Sequence, residues 1–375
     1  MQAGFLAKSA FTTQTDPDEA VADLKNQLGE ALSLVFLFVS TAYDLEALGP
    51  CIASQFQGVV AACTTAGQVG IGGVDSGGIS ALGLGGSDLA ATSHFIPSLG
   101  DPALAVAGLQ EEFALSTAGA PREWSRFGIV LCDGLSGAEE SLAKNLYLRL
   151  PGFQILGGSA GDDLRFARTM VYHGGRFRSG TASVVLLYSK EPLRSFRTHG
   201  VETTSTRLVV TAMGASPRDI LELNGLPAAE TYARVLGHDP GELGGKDFAL
   251  NPLLLKVGGV FYVRTPRVVL AGGGLAMHSA VDLGQVLTLG QEGDILSSTE
   301  EALSAACQGV DVQAVLVFEC VARRILLDQI GSMERATALF RRYRCTGFGA
   351  YGEQQNGIHM NQTLTGLVLG VPHGA

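Results

Sequence analysis

Apolar residues in this chain gather in short unbroken runs, and one succession of such runs occurs three times. Each copy opens on an apolar segment: Leu34 to Val39, Ile129 to Cys132, and Val315 to Phe318. Such a short apolar run predicts a strand. A helix-length segment follows, and then a second apolar run enters a turn of small residues. Those turns read Ala62-Cys63-Thr64-Thr65-Ala66-Gly67-Gln68, Gly157-Gly158-Ser159-Ala160-Gly161-Asp162, and Gly347-Phe348-Gly349-Ala350-Tyr351-Gly352-Glu353. A third run comes after each turn: Gly78 to Leu84, Ala182 to Tyr188, and Asn361 to Leu369. Val35 to Gly67 and Ile129 to Gly161 are both 32 residues apart, whereas Val315 to Gly352 spans 37, a longer connection. Strand, helix, strand, turn, strand is a supersecondary unit whose copies share sheets. The expected class is α+β, with two domains of repeated β-α-β-β units whose mixed sheets are covered by helices.

Helix starts are marked in the pattern. Asp16-Pro17-Asp18-Glu19 offers an N-cap and a first-turn proline, and Val21, Leu24 and Leu28 then share a face. Ser136 with Glu139, and Ser298 with Glu301, have capping-box spacing. Ser216-Pro217-Arg218-Asp219 predicts a helical turn, and Pro227 opens a helix stopped by Gly237. The polar stretch from Ser189 to Thr206, ahead of a strand at Leu208 to Thr211, suggests a domain boundary near residue 190. The halves are then 1–190 and 191–375, the second with inserted strands at Val257 to Thr265 and Val286 to Leu289.

Composition changes this picture little. The length of 375 residues favours two domains, and 46% hydrophobic residues suffice for a sizeable core. A mean hydropathy of +0.24 leaves apolar surface for a pocket, an interface or an enlarged core. A net charge of −10 argues against nucleic acid as a partner. The basic cluster Arg341, Arg342 and Arg344, with Arg323 and Arg324 upstream, reads as helix-end capping or a meeting point for an acidic partner. The longest apolar run is too short to cross a membrane, and the N-terminus has no secretory pattern. Six cysteines without a CxxC pair fit a reduced, cytoplasmic protein.

Catalytic signatures are weak. Ser159 lies among glycines, but a strand rather than a helix is expected after it, so this is not a nucleophile elbow. A hydrolase using Ser159 or Cys320 would need a base that no nearby residue supplies. None of the seven histidines pairs with another at metal-ligand spacing. A single histidine can still bind haem iron axially, and His359, just past the third turn, and His199, in the boundary segment, are the candidates. Asp133, Asp162, Asp163, Glu319 and Glu353 stand at strand ends, where they cap turn amides or bind a ligand amine.

Several of these segments have a familiar form. Asp133-Gly134-Leu135, Ile155 to Asp162 and Cys63 to Gly67 resemble the N-terminal half of the FIST sensory domain. Leu208 to Thr211, Asn224 to Ala228, Val317 to Arg323 and Gly347 to Gln354 resemble its C-terminal half. Tyr262-Val263-Arg264 and His359 to Thr363 are similar to stand-alone members of the NosP type. Gln68, where an acid is common, and Ala322, where glycine is typical, depart from the family pattern. The resemblance implies a small-ligand sensor that signals in trans to a histidine kinase or a cyclic-di-GMP enzyme, or through a homodimer. Its NosP-type version implies haem b and a response to nitric oxide, with His359 or His199 on the iron and Arg264 or Arg207 at the propionates. Its haem-free version implies an amino acid or similar metabolite anchored by Asp162, Arg323, Glu353 and Asn361.

Overall fold

The computed structural model describes residues 4–75 and 77–374. They form two compact units. The first comprises Met1–Arg197, Glu300–His359 and Leu364–Ala375, and the second Thr198–Thr299 with Met360–Thr363. The chain thus leaves the first unit and returns to it twice. A single cut at residue 190 does not describe this division. The third repeat, expected in a C-terminal domain, lies in the same unit as the other two because their sheets share strands.

In each repeat the first strand lies between the other two, parallel to the second and antiparallel to the third. Leu34–Val39 lies between Val59–Thr64 and Ile79–Gly85. Ser125–Cys132 lies between Gln154–Ser159 and Ala182–Ser189. Val310–Cys320 lies between Cys345–Ala350 and Leu364–Pro372. The parallel pair in each copy requires a crossover. Helices Leu45–Gln55 and Glu139–Arg149 make it in the first two copies. The third uses two helices, Val321–Gln329 and Met333–Arg342, which accounts for its longer spacing.

A short hairpin leaves each turn and completes the sheet of another repeat. Gln68–Gly70 and Gly73–Asp75, from the first repeat, add to Cys345–Ala350 of the third. Val171–His173 and Arg176–Arg178, from the second, add to Val59–Thr64 of the first. Glu353–Gln355 and Ile358–Met360, from the third, add to Gln154–Ser159 of the second. The exchange is cyclic. Every second strand, which would otherwise present an open edge, is paired by a neighbour.

Both faces of these strands are buried, which is why their apolar runs are unbroken. The inner faces meet in one core containing Phe36, Phe38, Ile129, Leu131, Leu316, Phe318, Phe348 and Leu367. Phe348 stacks on Phe38 at 4.9 Å and meets Phe318 edge-on at 5.6 Å, joining two sheets through aromatic contact. The outer faces pack under helices: Val35 and Leu37 meet Val21 and Leu24, while Val130 and Val184 meet Leu142 and Leu146.

The second unit is a separate eight-stranded sheet with Leu208, Ile220, Tyr232, Phe248 and Leu287 in its core. Its expected strand Val257 to Thr265 is two strands, Leu253–Val257 and Val260–Arg264. Gly258 and Gly259, at φ +57° and +86°, make the hairpin turn between them. Ser216 begins a tight turn before the strand Asp219–Leu223, not a helical one. Asp16 and Gly237 cap their helices as expected. Asp294, not Ser298, receives the first amides of Ile295–Cys307, and Ser136 binds the loop before its helix.

Gly161 is required because a β-carbon there would press on the backbone nitrogen and β-carbon of Ala66. Gly161→Ala is expected to lower stability by about 1–3 kcal/mol. Gly108→Ala, with open space around it, should be neutral or stabilising. Thermal melts of both variants check this, and equal melts would contradict the close approach.

Candidate ligand site at the three turns

Each turn is tied to each of the others by two backbone hydrogen bonds. Ala66 N–H donates to Gly349 O and Gly349 N–H to Gly67 O, both at 2.8 Å. Ser159 N–H donates to Gly352 O at 2.9 Å and Tyr351 N–H to Ser159 O at 3.1 Å. Gly161 N–H donates to Thr64 O at 3.0 Å and Asp163 N–H to Thr65 O at 3.1 Å. Backbone groups at such a junction must find partners, and here the three repeats supply them to one another.

Polar side chains cluster beside this junction. Gln68, Ser159, Glu319, Arg323, Glu353, Gln354, His359 and Thr365 are all buried. Their positions follow from the strands: Glu353 and Gln354 open the exchanged hairpin opposite Gly158 and Gly157, and Gln68 opens another opposite Phe348. Gln354 Nε2 donates to Ser159 Oγ at 2.8 Å and lies 3.2 Å from His359 Nδ1. Gln68 Nε2 donates to Thr65 Oγ1 at 2.6 Å. Arg324 Nη1 reaches Ala66 O at 3.3 Å. Gln68 Oε1, Gln354 Oε1 and Thr365 Oγ1 have no hydrogen-bond partner among the described residues. Three buried polar atoms left unmatched cost stability, and atoms in this state suit a ligand that donates to them.

Glu319 is next to last in its strand, and Arg323 lies four residues later with its Nε 3.6 Å from Glu319 Oε1. Burial pushes the Glu319 carboxyl up, and the charges of Arg323 and Arg324 oppose this only in part. Burial likewise pushes Arg323 down, against the opposing charges of Glu319 and Glu353. The three groups form a buried acid–base–acid set at the end of the third repeat's first strand.

Other expected site residues have structural partners. Asp162 accepts from Phe166 N–H at 2.9 Å, Ala167 N–H at 2.7 Å, Arg168 N–H at 2.8 Å and the Tyr351 hydroxyl. Burial raises its carboxyl, but these four donors together hold it below the usual range. Both oxygens serve the loop, so Asp162 organises its own segment rather than facing a ligand. Asp133 does the same for Leu135, Thr169 and Gly180. Asn361 accepts from the Ser279 hydroxyl within the second unit. In that unit also, Arg264 is buried and donates to Val263 O, exposed Arg207 donates to Thr204 O at 2.8 Å, and His199 Nδ1 accepts from Val201 N–H at 3.0 Å. His359 belongs to the first unit. Ser159 is buried with the amide of Gln354 between it and His359, and an amide is no general base. Cys320 is also buried. Among the described residues no three His, Cys, Asp or Glu side chains group as a metal site. Arg342 pairs with Glu300 at 2.6 Å, and both Arg341 and Arg342 lie in the last turn of their helix, as the capping reading expects. Gln68, Gln354, Thr65 and Tyr351 were not anticipated as site residues. Their one sequence signal is position, in or next to a glycine-bearing turn.

A closed set of helix-covered sheets with a polar cluster at the meeting of its turns has the build of a binding module. The FIST N domain matches residues 33–226 and the FIST C domain residues 228–356, and the chain belongs to the FIST family. FIST domains are sensory modules associated with small-ligand sensing in signalling. No curated protein matches the chain. Among the described residues no helix is long and apolar enough to cross a membrane.

Because the Glu319 carboxyl is raised, it holds its proton more tightly folded than unfolded. Its contribution to stability is full below the unfolded pKa and declines as pH rises. Arg323→Met removes the opposing charge and is expected to cost about 3–5 kcal/mol at neutral pH. Denaturant titrations should show a smaller loss near pH 5 than near pH 8, and a pH-independent loss would contradict the buried pair.

Proposed function

We propose that the chain is a sensor for a small polar metabolite of amino-acid size, bound at the junction of the three turns. The observation that carries this reading is the unmatched acceptor capacity of Gln68 and Gln354, fully buried beside the Glu319–Arg323–Glu353 set. A ligand ammonium or amide group would donate to the two Gln oxygens, and a ligand carboxylate would face Arg323 or Arg324. Such a cluster is a poor stabiliser of an empty fold and a good discriminator of ligands, since an analogue lacking the donors leaves its oxygens unmatched. The output passes without covalent change to a partner in trans, a histidine kinase or a cyclic-di-GMP enzyme, or to a second copy of the chain.

Haem sensing of nitric oxide is the second reading, favoured by a buried histidine, His359, next to the junction. The residues fit haem less well than they fit a polar metabolite. His199 Nδ1 accepts a backbone N–H, which leaves its ring proton on Nε2, and His359 Nδ1 is engaged by the Gln354 amide. Arg264 and Arg207 donate to backbone carbonyls near them in sequence rather than presenting a free fork to propionates. An absorption spectrum after haem reconstitution separates the readings. No Soret band, or one unchanged in both His359→Ala and His199→Ala, excludes ligation by these residues.

A thermal-shift screen of the common amino acids tests the first reading. A ligand at about 100 times its dissociation constant should add about 2.7 kcal/mol of stability. Gln354→Leu is expected to abolish that gain while changing the unliganded protein by about 1 kcal/mol, because a lost hydrogen bond and a removed orphan oxygen offset one another. A gain that persists in both Gln354→Leu and Gln68→Leu would place the ligand elsewhere.

A further inference from the structure

The segment that follows the second turn combines three properties that seldom occur together. Its backbone is strained: Asp163, Leu164 and Phe166 have φ of +54°, +63° and +50°, and for Leu and Phe this is an outlying conformation. Its side chains are exposed, with Leu164 at 42% and Phe166 at 58% and with Arg165 and Arg168 in solvent. It is also tied to all three repeats. Asp163 accepts from the Thr41 hydroxyl at 2.7 Å and donates its amide to Thr65 O in the first repeat. Asp162 belongs to the second. The Tyr351 hydroxyl, from the third, donates to Asp162, and its ring stacks on Phe166 at 4.7 Å and 17°. A strained conformation persists only where its surroundings over-determine it, and such segments concentrate at switches.

We propose that residues 162–168 form a latched cover over the junction of the turns, and that release of the latch is the conformational output of the ligand cluster. The latch is the Tyr351–Asp162 hydrogen bond with the Phe166 stack, and the Asp163–Thr41 bond is its second point. Coupling to the cluster runs through one residue pair. Tyr351 N–H binds Ser159 O, and Gln354, three residues after Tyr351, binds Ser159 Oγ. A guest that donates to Gln354 Oε1 pulls on the same amide whose Nε2 holds Ser159 Oγ, and Ser159 in turn positions the turn that carries Tyr351. Once the latch opens, the left-handed residues relax and cannot re-form without it, so the cover has two discrete states rather than a continuum. The open state frees the face of the Phe166 ring that stacks on Tyr351 and lets the exposed Leu164, Arg165 and Arg168 move with it to meet a partner. The coupling rests on the proposed ligand site, whereas the latch itself stands without it.

Arg165 and Arg168 are in solvent, but the bonded, left-handed backbone withholds the extended conformation that trypsin needs until the cover opens, so native-state proteolysis followed by mass spectrometry reads the latch directly, with no ligand needed. Tyr351→Phe removes the hydroxyl alone and is expected to speed cleavage after Arg165 about tenfold, with the circular-dichroism melt of the whole chain nearly unchanged. Leu164→Gly, which removes the left-handed strain, should slow it, whereas Leu164→Ala should not. Equal cleavage in wild type and Tyr351→Phe, or cleavage that follows global unfolding, would overturn the latch. Gln354→Leu should alter the cleavage rate in its own right. A loop that responds to Tyr351→Phe but not to Gln354→Leu would overturn the coupling and leave the ligand site to be judged by the thermal-shift screen.

Discussion

The six backbone hydrogen bonds that join the three turns are the constraint on which the rest of the first unit depends. Each turn donates to and accepts from the others, so none of the three has its amides satisfied alone. The cyclic exchange of hairpins extends the same dependence to the sheets, since each second strand is edged by a hairpin from another repeat. Glycine at Gly161 and Gly349 follows from it, because any side chain there would occupy the space of the Ala66 backbone. A unit assembled in this way depends on all three repeats, since removing one leaves one sheet with an open edge, one hairpin without a sheet and two turns with unmet backbone groups.

That closure explains why polar groups can be buried at the junction at all. Glu319 and Arg323 lie where a strand gives way to a helix and Glu353 opens an exchanged hairpin, and all three are buried. In such surroundings an ionised group persists only with an opposite charge close by, and the acid–base–acid order supplies one. Gln68 and Gln354 are different, since each carries an amide oxygen with no partner. A fold selected for stability alone would place leucine or methionine at such positions. Under the proposed function these amides are the place where stability is traded for recognition.

The repeats were legible in the sequence because strands buried on both faces are written as unbroken apolar runs, and the run Leu34 to Val39 coincides with its strand. The hairpins were not legible. Gln68–Gly70 and Val171–His173 are three residues long, too short for any periodicity, and their partners lie in other repeats. Missing them hid the domain organisation, because the hairpins are what draw residues 300–359 into the first unit. The candidate site was legible in part. Glu319, Arg323, Glu353 and His359 could be named from their places at strand ends and beyond the turn, but Asp162 could not be told from a ligand residue, because a cap and an anchor look alike in sequence. Gln68 and Gln354 carry no charge and no motif, and only the register that buries them makes them conspicuous.

Hydrogen exchange tests the central claim most directly, through the amides of Ala66, Ser159, Gly161, Gly349 and Tyr351, which belong to three distant stretches of chain and lie outside the cover. If the turns hold one another, these amides share a single opening free energy, close to that of global unfolding of the unit, and Gly161→Ala lowers all five together. Separate opening energies for the three turns, with Gly161→Ala felt only by its own, would show that the junction is a contact between independent loops and would contradict the account.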